Sequence, residues 1–308
     1  MNLQQLEYII ALNKYRHFGK AADHCEVSQP TLSTMIQKLE DELGVKLFDR
    51  GHQPIKPTAI GVKVLEQAAI ILRQTSVLGE IIKDEEDSLG GSITLAVLPT
   101  IAPYLLPRIV PVLDRDLPDL NITFVELMTS ECLEQLGRGQ IDLAIMATEV
   151  GQEDLVSHPL YYEEFFGYVS RKEGQYHDKS IRSSEVDASR LWLLDEGHCF
   201  RDQLMRFCQL RRNGSYKNRY VRGSLTTFMN MVEQGNGMTF IPELSLDTIN
   251  AGHRDLVKPF AIPRPTRLVN LSVRKDFARM HLRDAIASII REAVPERMHK
   301  LQPGQSSI

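Results

Sequence analysis

Two cysteines nine residues apart, Cys199 and Cys208, form the part of this 308-residue chain best equipped for chemistry. The stretch Leu194-Asp195-Glu196-Gly197-His198-Cys199 reads as a strand end, a glycine turn and a helix start, with the helix running to about Leu210. Cys199 falls in the first helical turn, where unpaired backbone N–H groups and the positive end of the helix dipole favour an anion. His198 stands beside it and Arg201 is close by, surroundings that make a thiol nucleophilic. Cys208 shares its side of the helical wheel with Phe200, Leu204 and Phe207, whereas Cys199 shares a face with Asp202, Gln203 and Arg206. At about 100° and 1.5 Å per residue, the two sulfurs lie on opposite faces and roughly 13 Å apart along the axis. A disulfide tolerates Cα atoms no more than about 7 Å apart. A bridge between them requires the helix to come apart and would act as a conformational switch. From this stretch alone the alternative is an inert pair, one thiol near a helix cap and one small core hydrophobe.

The rest of the composition sets bounds. At 308 residues the chain is long enough for two or three units with their own cores. Hydrophobic content of 43% and charged content of 25% are ordinary for a globular protein. No apolar run is long enough to span a membrane, and Met1-Asn2-Leu3-Gln4-Gln5 lacks an export pattern, so a cytoplasmic location without membrane partners is expected. In that reducing compartment the four cysteines, Cys25, Cys132, Cys199 and Cys208, are not structural disulfides, which leaves catalytic or sensing thiols open. No Cys-x-x-Cys or His-x-x-x-His pairing occurs, so neither a metal nor a cofactor is predicted. Cys25 and Cys132 fall among apolar neighbours and read as packing. The net charge of −4 does not suggest nucleic acid, and such a partner must be argued from local pattern.

That pattern lies in the first ninety residues. Leu3, Leu6 and Ile10 give a helical stripe, and Phe18 to Cys25 a short helix with small inner residues. Ser28 is a good N-cap, and Pro30 is tolerated in a first turn because its missing N–H would be unpaired there. Leu32, Ile36, Leu39 and Leu43 then recur at helical spacing, which predicts a buried face. The opposite face offers Gln29, Pro30, Ser33, Thr34, Gln37 and Lys38, short polar groups suited to base edges and a lysine suited to phosphate. Two helices around a tight turn, then two short strands between Gly44 and Thr58, make a winged helix-turn-helix. Residues 1–62 hold seven Lys/Arg and seven Asp/Glu, and the acidic Glu40-Asp41-Glu42 falls at the far end of the recognition helix. From Ala59 to about Ser88 the pattern stays helical, with Val64, Ala68, Ile71, Thr75, Leu78 and Ile82 as a coiled-coil seam. Such a stripe calls for a dimer, the alternative being a solvated helix packed on its own chain. Asp84 to Asp87 and Gly90-Gly91 mark a linker.

Beyond it, strands at Ile93–Leu98, Ile122–Leu127 and Ile141–Met146 alternate with helices, a βαβαβ unit. A second unit follows: strands near Phe165–Val169, Leu191–Leu194 and Arg219–Val221, helices at Cys199–Leu210 and Leu225–Gln234, then a strand at Gly237–Pro242. The strand Arg267–Val273 and the helix Phe277–Ala293 return to the first unit. The expected fold is thus an α/β regulatory domain of two doubly wound subdomains with an α-helical winged helix-turn-helix domain and a long linker helix. The expected boundaries are 1–58, 59–91 and 92–308, with subdomain I at about 92–162 and 267–300 and subdomain II at about 163–266. Ligands of such sheets bind beyond the strand ends, where helix N-termini converge. Thr100, Thr129 and His198-Cys199 occupy such positions and should line one cleft.

Ala21-Ala22, Ser28-Gln29-Pro30-Thr31-Leu32-Ser33, Ile36, Leu39-Glu40, Leu43-Gly44, Leu47-Phe48-x-Arg50 and Thr58-x-x-Gly61 together resemble the DNA-binding domain of LysR-type transcriptional regulators. The resemblance implies promoter DNA as partner, with Gln29, Pro30, Thr31, Ser33, Lys38 and Arg50 near it. The second half is similar to the periplasmic-binding-protein-like effector domain of that family. Gly197-His198-Cys199-x-x-Asp202-Gln203-x-x-x-Phe207-Cys208, with Leu98-Pro99-Thr100, Pro103-Tyr104-Leu105-Leu106-Pro107 and Asn230-Met231-Val232, resembles its peroxide-sensing members. That likeness implies Cys199 as the peroxidatic and Cys208 as the resolving thiol of a reversible disulfide. It implies a hydrogen peroxide pocket of Thr100, Thr129, His198, Asp202 and Arg267, the arginine taken from Pro263-x-Pro265-x-Arg267 with Arg264 nearby. It further implies a homotetramer, dimeric through the linker helix, and resetting by a thiol reductant such as glutaredoxin or thioredoxin. The competing readings are a LysR-type regulator that binds a small carboxylate, its cysteines incidental, and a thiol peroxidase, which would have no need of residues 1–62.

Overall fold

The computed structural model describes residues 1–51, 54–85, 89–148, 153–194, 198–210 and 223–308, apart from the side chains at 76, 83 and 85. The expected strand near Arg219–Val221, the turn at 195–197 and parts of the wing turn and linker lie outside the described residues. The chain divides into two compact units, Met1–Glu86 and Asp87–Ile308.

In the first unit, α1 (Leu3–Tyr15) opens on an Asn2 cap with a reciprocal bond from Gln5, and buries Leu6, Ile9 and Leu12. The small Ala21 and Ala22 of α2 (Phe18–His24) are buried. In α3 (Gln29–Leu43), Thr31 N donates to Ser28 Oγ at 3.3 Å, Pro30 sits in the first turn, and Gly44 ends the helix at φ 69°. Leu32, Ile36 and Leu39 are fully buried, whereas Leu43 is 39% exposed because the last turn projects past the core. Strands β1 (Phe48–Asp49) and β2 (Lys56–Pro57) pair antiparallel as the wing. Gly61, in the first turn of α4 (Ala59–Glu85), lies against the Leu47 carbonyl, and a Cβ there would stand 2.0 Å from that oxygen. Thr58 fixes the same junction, its Oγ1 donating to Lys46 O at 2.7 Å and accepting from Gly61 N at 3.0 Å. The α4 seam divides: Val64, Ala68 and Ile71 pack into this unit's own core, while Leu78 (63%) and Ile82 (60%) stay exposed.

The second unit is built on β3 (Gly91–Val97), α5 (Ala102–Asp116), β4 (Leu120–Glu126), α6 (Thr129–Gly137), β5 (Leu143–Met146), β6 (Leu155–Val169), α7 (Cys199–Phe207), α8 (Leu225–Gln234), β7 (Met238–Pro242), β8 (Val257–Pro259), β9 (Arg264–Arg274), α9 (Met280–Glu292) and β10 (Gln305–Ser307). Strand order is β4-β3-β5-β9-β6-β7, with β10 beside β9 and β8 beside β6. β3 runs parallel to β4 and β5, and α5 and α6 are the crossovers of this βαβαβ half. β6 and β9 pair antiparallel from Leu155↔Arg274 to Glu164↔Thr266, and β6 then continues against β7 and β8. The two long strands therefore carry the chain between the halves, where two shorter strands were expected. Around Leu191–Leu194 only Leu191 bridges Met238, in parallel, and Trp192 N donates to Met238 O at 2.8 Å before the chain leaves toward α7.

Candidate redox centre and nucleic-acid interface

Cys199 is the first residue of α7, and His198 is its cap residue, with His198 O accepting from Arg201 N at 3.0 Å. The helix is shorter than the predicted run to Leu210. It ends at Phe207, Cys208 N donates to Leu204 O at 2.9 Å, and Gln209 turns left-handed at φ 52°. All four cysteines are unbridged. Cys199 is half-buried and borders a cleft of about 570 Å3; Cys208, at the other end, is 5% exposed and belongs to the core. Burial pushes the Cys208 thiol up to about 12. Cys132 on α6 is likewise pushed up to about 12, by burial first and then by Glu131 and Cys199.

The structure divides the expected pocket residues into two groups. Thr129 and Asp202 line the same cleft as Cys199, together with Thr148, Gln203 and Asn270. Thr129 Oγ1, Thr148 Oγ1 and Gln203 Oε1 are buried there without a hydrogen-bond partner. These three buried polar atoms give the cleft that Cys199 borders a polar lining suited to a small polar guest. Thr100 and Arg267 are not among the residues lining this cleft. Arg267, fully buried, donates to Thr100 Oγ1 at 3.0 Å and Thr100 O at 3.1 Å, and pairs with Glu163 Oε2 at 2.7 Å. Its guanidinium lies 5.5 Å from the ring centres of both Phe165 and Phe200, the residue after Cys199. Alternation along β9 explains the division: Arg267 points one way while Leu268 and Asn270 face the cleft. Arg264, the neighbouring arginine, is partly exposed and pairs with Glu164 at 2.9 Å. His198, which precedes Cys199 in the chain, is buried but does not line the cleft.

Glu163, Thr148 and Asn270 were not singled out from the sequence, and Gln203 was named there only as a neighbour of Cys199 on the helical wheel and as part of the motif. For Glu163 a signal exists: the acidic pair Glu163-Glu164 interrupts the apolar run Leu160–Val169, and a buried charge needs a partner. The Glu163 carboxyl is raised by burial, against the lowering effect of Arg267.

In the first unit Gln29, Pro30, Thr31 and Lys38 are exposed and Ser33 half-buried on the outward face of α3. Arg50, at the end of the wing's first strand, lies 5.3 Å from the Phe18 ring centre and donates to Glu40 Oε2 at 3.1 Å. Glu40, first of the acidic run at the far end of α3, is buried. It is 1% exposed, and its Oε1 accepts from Leu47 N at 2.8 Å and Phe48 N at 3.3 Å. This one carboxylate ties the recognition helix to the wing.

A winged helix-turn-helix followed by an α/β unit with a polar cleft defines a DNA-binding regulator with a sensing domain. Residues 3–62 match the bacterial regulatory helix-turn-helix protein family, lysR type, and residues 86–295 match the LysR substrate binding domain. The chain belongs to the LysR family of bacterial regulators. Membership in a regulator family sets aside the peroxidase reading. The hydrogen peroxide-inducible genes activator of Haemophilus influenzae is 36% identical over 297 residues, 96% of this chain and 97% of that protein. The crystal structure of OxyR from Porphyromonas gingivalis is 50% identical and has a TM-score of 0.67, covering 70% of this chain and 99% of its own. A full-length OxyR variant of Pseudomonas aeruginosa is 32% identical with a TM-score of 0.78, covering 94% and 98%. Among the described residues no helix is long and apolar enough to cross a membrane, and no group of side chains is arranged to hold a metal.

Proposed function

We propose that this LysR-family protein is a transcriptional activator that senses hydrogen peroxide through a reversible Cys199–Cys208 disulfide. The observation that carries the reading is the placement of the two thiols. One borders a cleft with unpaired polar atoms, and the other is sealed in the core at the far end of the same helix. Cys199, as thiolate, attacks one peroxide oxygen, the O–O bond breaks, and hydroxide leaves; the sulfur becomes a sulfenic acid and the peroxide is reduced. Cys208 then displaces the sulfenic hydroxyl as water, forming the disulfide. Thr129 and Asp202 contact peroxide in the cleft, His198 shapes the helix start, and Thr100 with Arg267 holds Phe200 behind the sulfur. Because α7 separates the thiols, closing the bond breaks the helix and repacks the core around Cys208. Names among the relatives support the trigger, since the Haemophilus protein is a hydrogen peroxide-inducible genes activator.

The functional division we adopt is 1–58 for DNA, 59–91 for dimerisation and 92–308 for sensing. Gln29, Pro30, Thr31, Ser33, Lys38 and Arg50 meet promoter DNA. The exposed Leu78 and Ile82 join two copies, which pair again as a tetramer. The location is the cytoplasm, where a thiol reductant such as glutaredoxin or thioredoxin resets the pair. Mass spectrometry after one equivalent of peroxide tests this: a Cys199–Cys208 cross-link is expected, and two unmodified thiols would overturn it. One observation favours a second reading. The cleft, at about 570 Å3, falls in the range of small-molecule sites and includes Arg206, which suits a carboxylate effector. Calorimetry with small carboxylates on the Cys199→Ser protein separates the two.

A further inference from the structure

The cleft beside Cys199 is closed on one side by the last strand of the fold. Ser307 and Ile308 line it with the cysteine. β10 reaches that position through Gly304, at φ 81°, and pairs in parallel with β9 from Gln305↔Arg264 to Ser307↔Thr266. Ile308 N donates to Thr266 O at 3.0 Å, and Gln305 Nε2 donates to Glu164 Oε2 at 2.9 Å. Three paired positions at a sheet margin make a weak attachment. Ile308 also packs against the core, Arg264 holds the approach at Pro303 O and Gly304 O, and a further tie comes from α7. Gln203 Nε2 donates to Ala147 O at 2.8 Å and to Ile308 O at 3.1 Å. Both amide hydrogens are thereby used. The flipped amide would set its oxygen against two acceptor oxygens, so the orientation is determined.

We propose that β10 with Ser307 and Ile308 is a latched wall of the Cys199 cleft, held by Gln203, that keeps bulky thiols and protein reductants from the sulfur while α7 is intact. The wall leaves peroxide a route, because the cleft retains about 570 Å3 with the strand in place. Gln203 belongs to the helix that must come apart when Cys199 and Cys208 join. Disulfide formation therefore withdraws the latch and opens the site when a bulky reductant has to reach it. This opening rests on the disulfide reading above; the closed wall of the reduced protein does not.

The test uses reduced full-length protein and two alkylating probes, iodoacetamide and a maleimide carried on a polyethylene glycol chain, with modification of Cys199 followed by peptide mass spectrometry. Gln203→Leu should raise the rate ratio of bulky to small probe about fivefold, the worth of one hydrogen bond. A chain ending at Pro303 should raise it further. An unchanged ratio in both proteins would overturn the wall. Hydrogen exchange of the 303–308 peptide in Gln203→Leu provides a check that does not depend on the truncated chain folding, with faster exchange expected and unaltered exchange contradicting the latch. Treating the same samples with peroxide reports separately on the disulfide. Its absence would remove the sensing reading and leave the probe ratios to decide the wall.

Discussion

Arg267 and Glu163, both shut off from solvent, form an ion pair at 2.7 Å directly behind the helix that carries Cys199. Thr100 accepts two of the remaining guanidinium bonds, Leu244 N donates to the other carboxylate oxygen at 3.2 Å, and Phe165 and Phe200 cover the guanidinium. Breaking a buried pair from one side leaves an uncompensated charge. Glu163→Ala should destabilise the protein by about 3–5 kcal/mol. Glu163→Ala combined with Arg267→Met should recover part of that loss, as read by urea unfolding. Equal stability of Glu163→Ala and the wild type would show that the pair holds nothing.

Thr129 presents a different balance, because its hydroxyl is buried without a partner. Thr129→Val should leave folding unchanged or improve it by about 1 kcal/mol, since the unsatisfied group is removed. The same change should slow oxidation of Cys199 by about tenfold, the effect of one lost polar contact to the reacting molecule. A slower reaction accompanied by a comparable loss of stability would point to damage to the fold.

Cys208 gives a pH dependence with a definite sign. Burial raises its thiol from 9.0 to about 12, so the unfolded chain releases the proton first. Its contribution to stability is fully present below pH 9 and is lost as pH rises from 9 toward 12. Iodoacetamide at neutral pH should accordingly modify Cys199 ahead of Cys208 and Cys132, which peptide mapping measures. Preferential labelling of Cys208 would contradict its burial.

Glu40 links fold and DNA. Glu40→Gln retains an acceptor for Leu47 N and Phe48 N yet removes the charge that holds Arg50. Specific DNA affinity at fixed salt should fall by about tenfold, one misplaced phosphate contact, with little change in melting temperature. Arg50→Met should lower the slope of log affinity against log salt by about one. An Arg50→Met protein with the wild-type slope would place that arginine away from phosphate.

Much of this architecture was legible because local signals agreed with one another. Ser28, Pro30 and the Leu32, Ile36, Leu39 stripe announce α3, and both the cap and the burial are present. The βαβαβ half follows from its short apolar strands. The long β6 was harder to see, since Pro159 and the Glu163-Glu164 pair break the strand pattern. The strand absorbs the proline at a register shift between Pro159 and Tyr161, and both glutamates find arginines on β9, Glu163 at Arg267 and Glu164 at Arg264. Partners of that kind come from distant parts of the chain and have no local signature. β10 was missed for a related reason: Gln305-Ser306-Ser307 has weak strand character and is held by pairing with β9. The cleft followed the same logic. Cys199 and Thr129 were readable from helix starts, but the division between the Cys199 cleft and the Arg267 cluster depends on which face of β9 each residue takes.

The central claim is that joining Cys199 to Cys208 is incompatible with α7. Hydrogen exchange across residues 199–208, in reduced protein and in protein whose cross-link has been verified by mass spectrometry, tests it most directly. Strong protection of the amides at Leu204 to Cys208 is expected in the reduced state and is lost on oxidation, with protection retained in peroxide-treated Cys208→Ser. Undiminished protection in the cross-linked protein would contradict the claim.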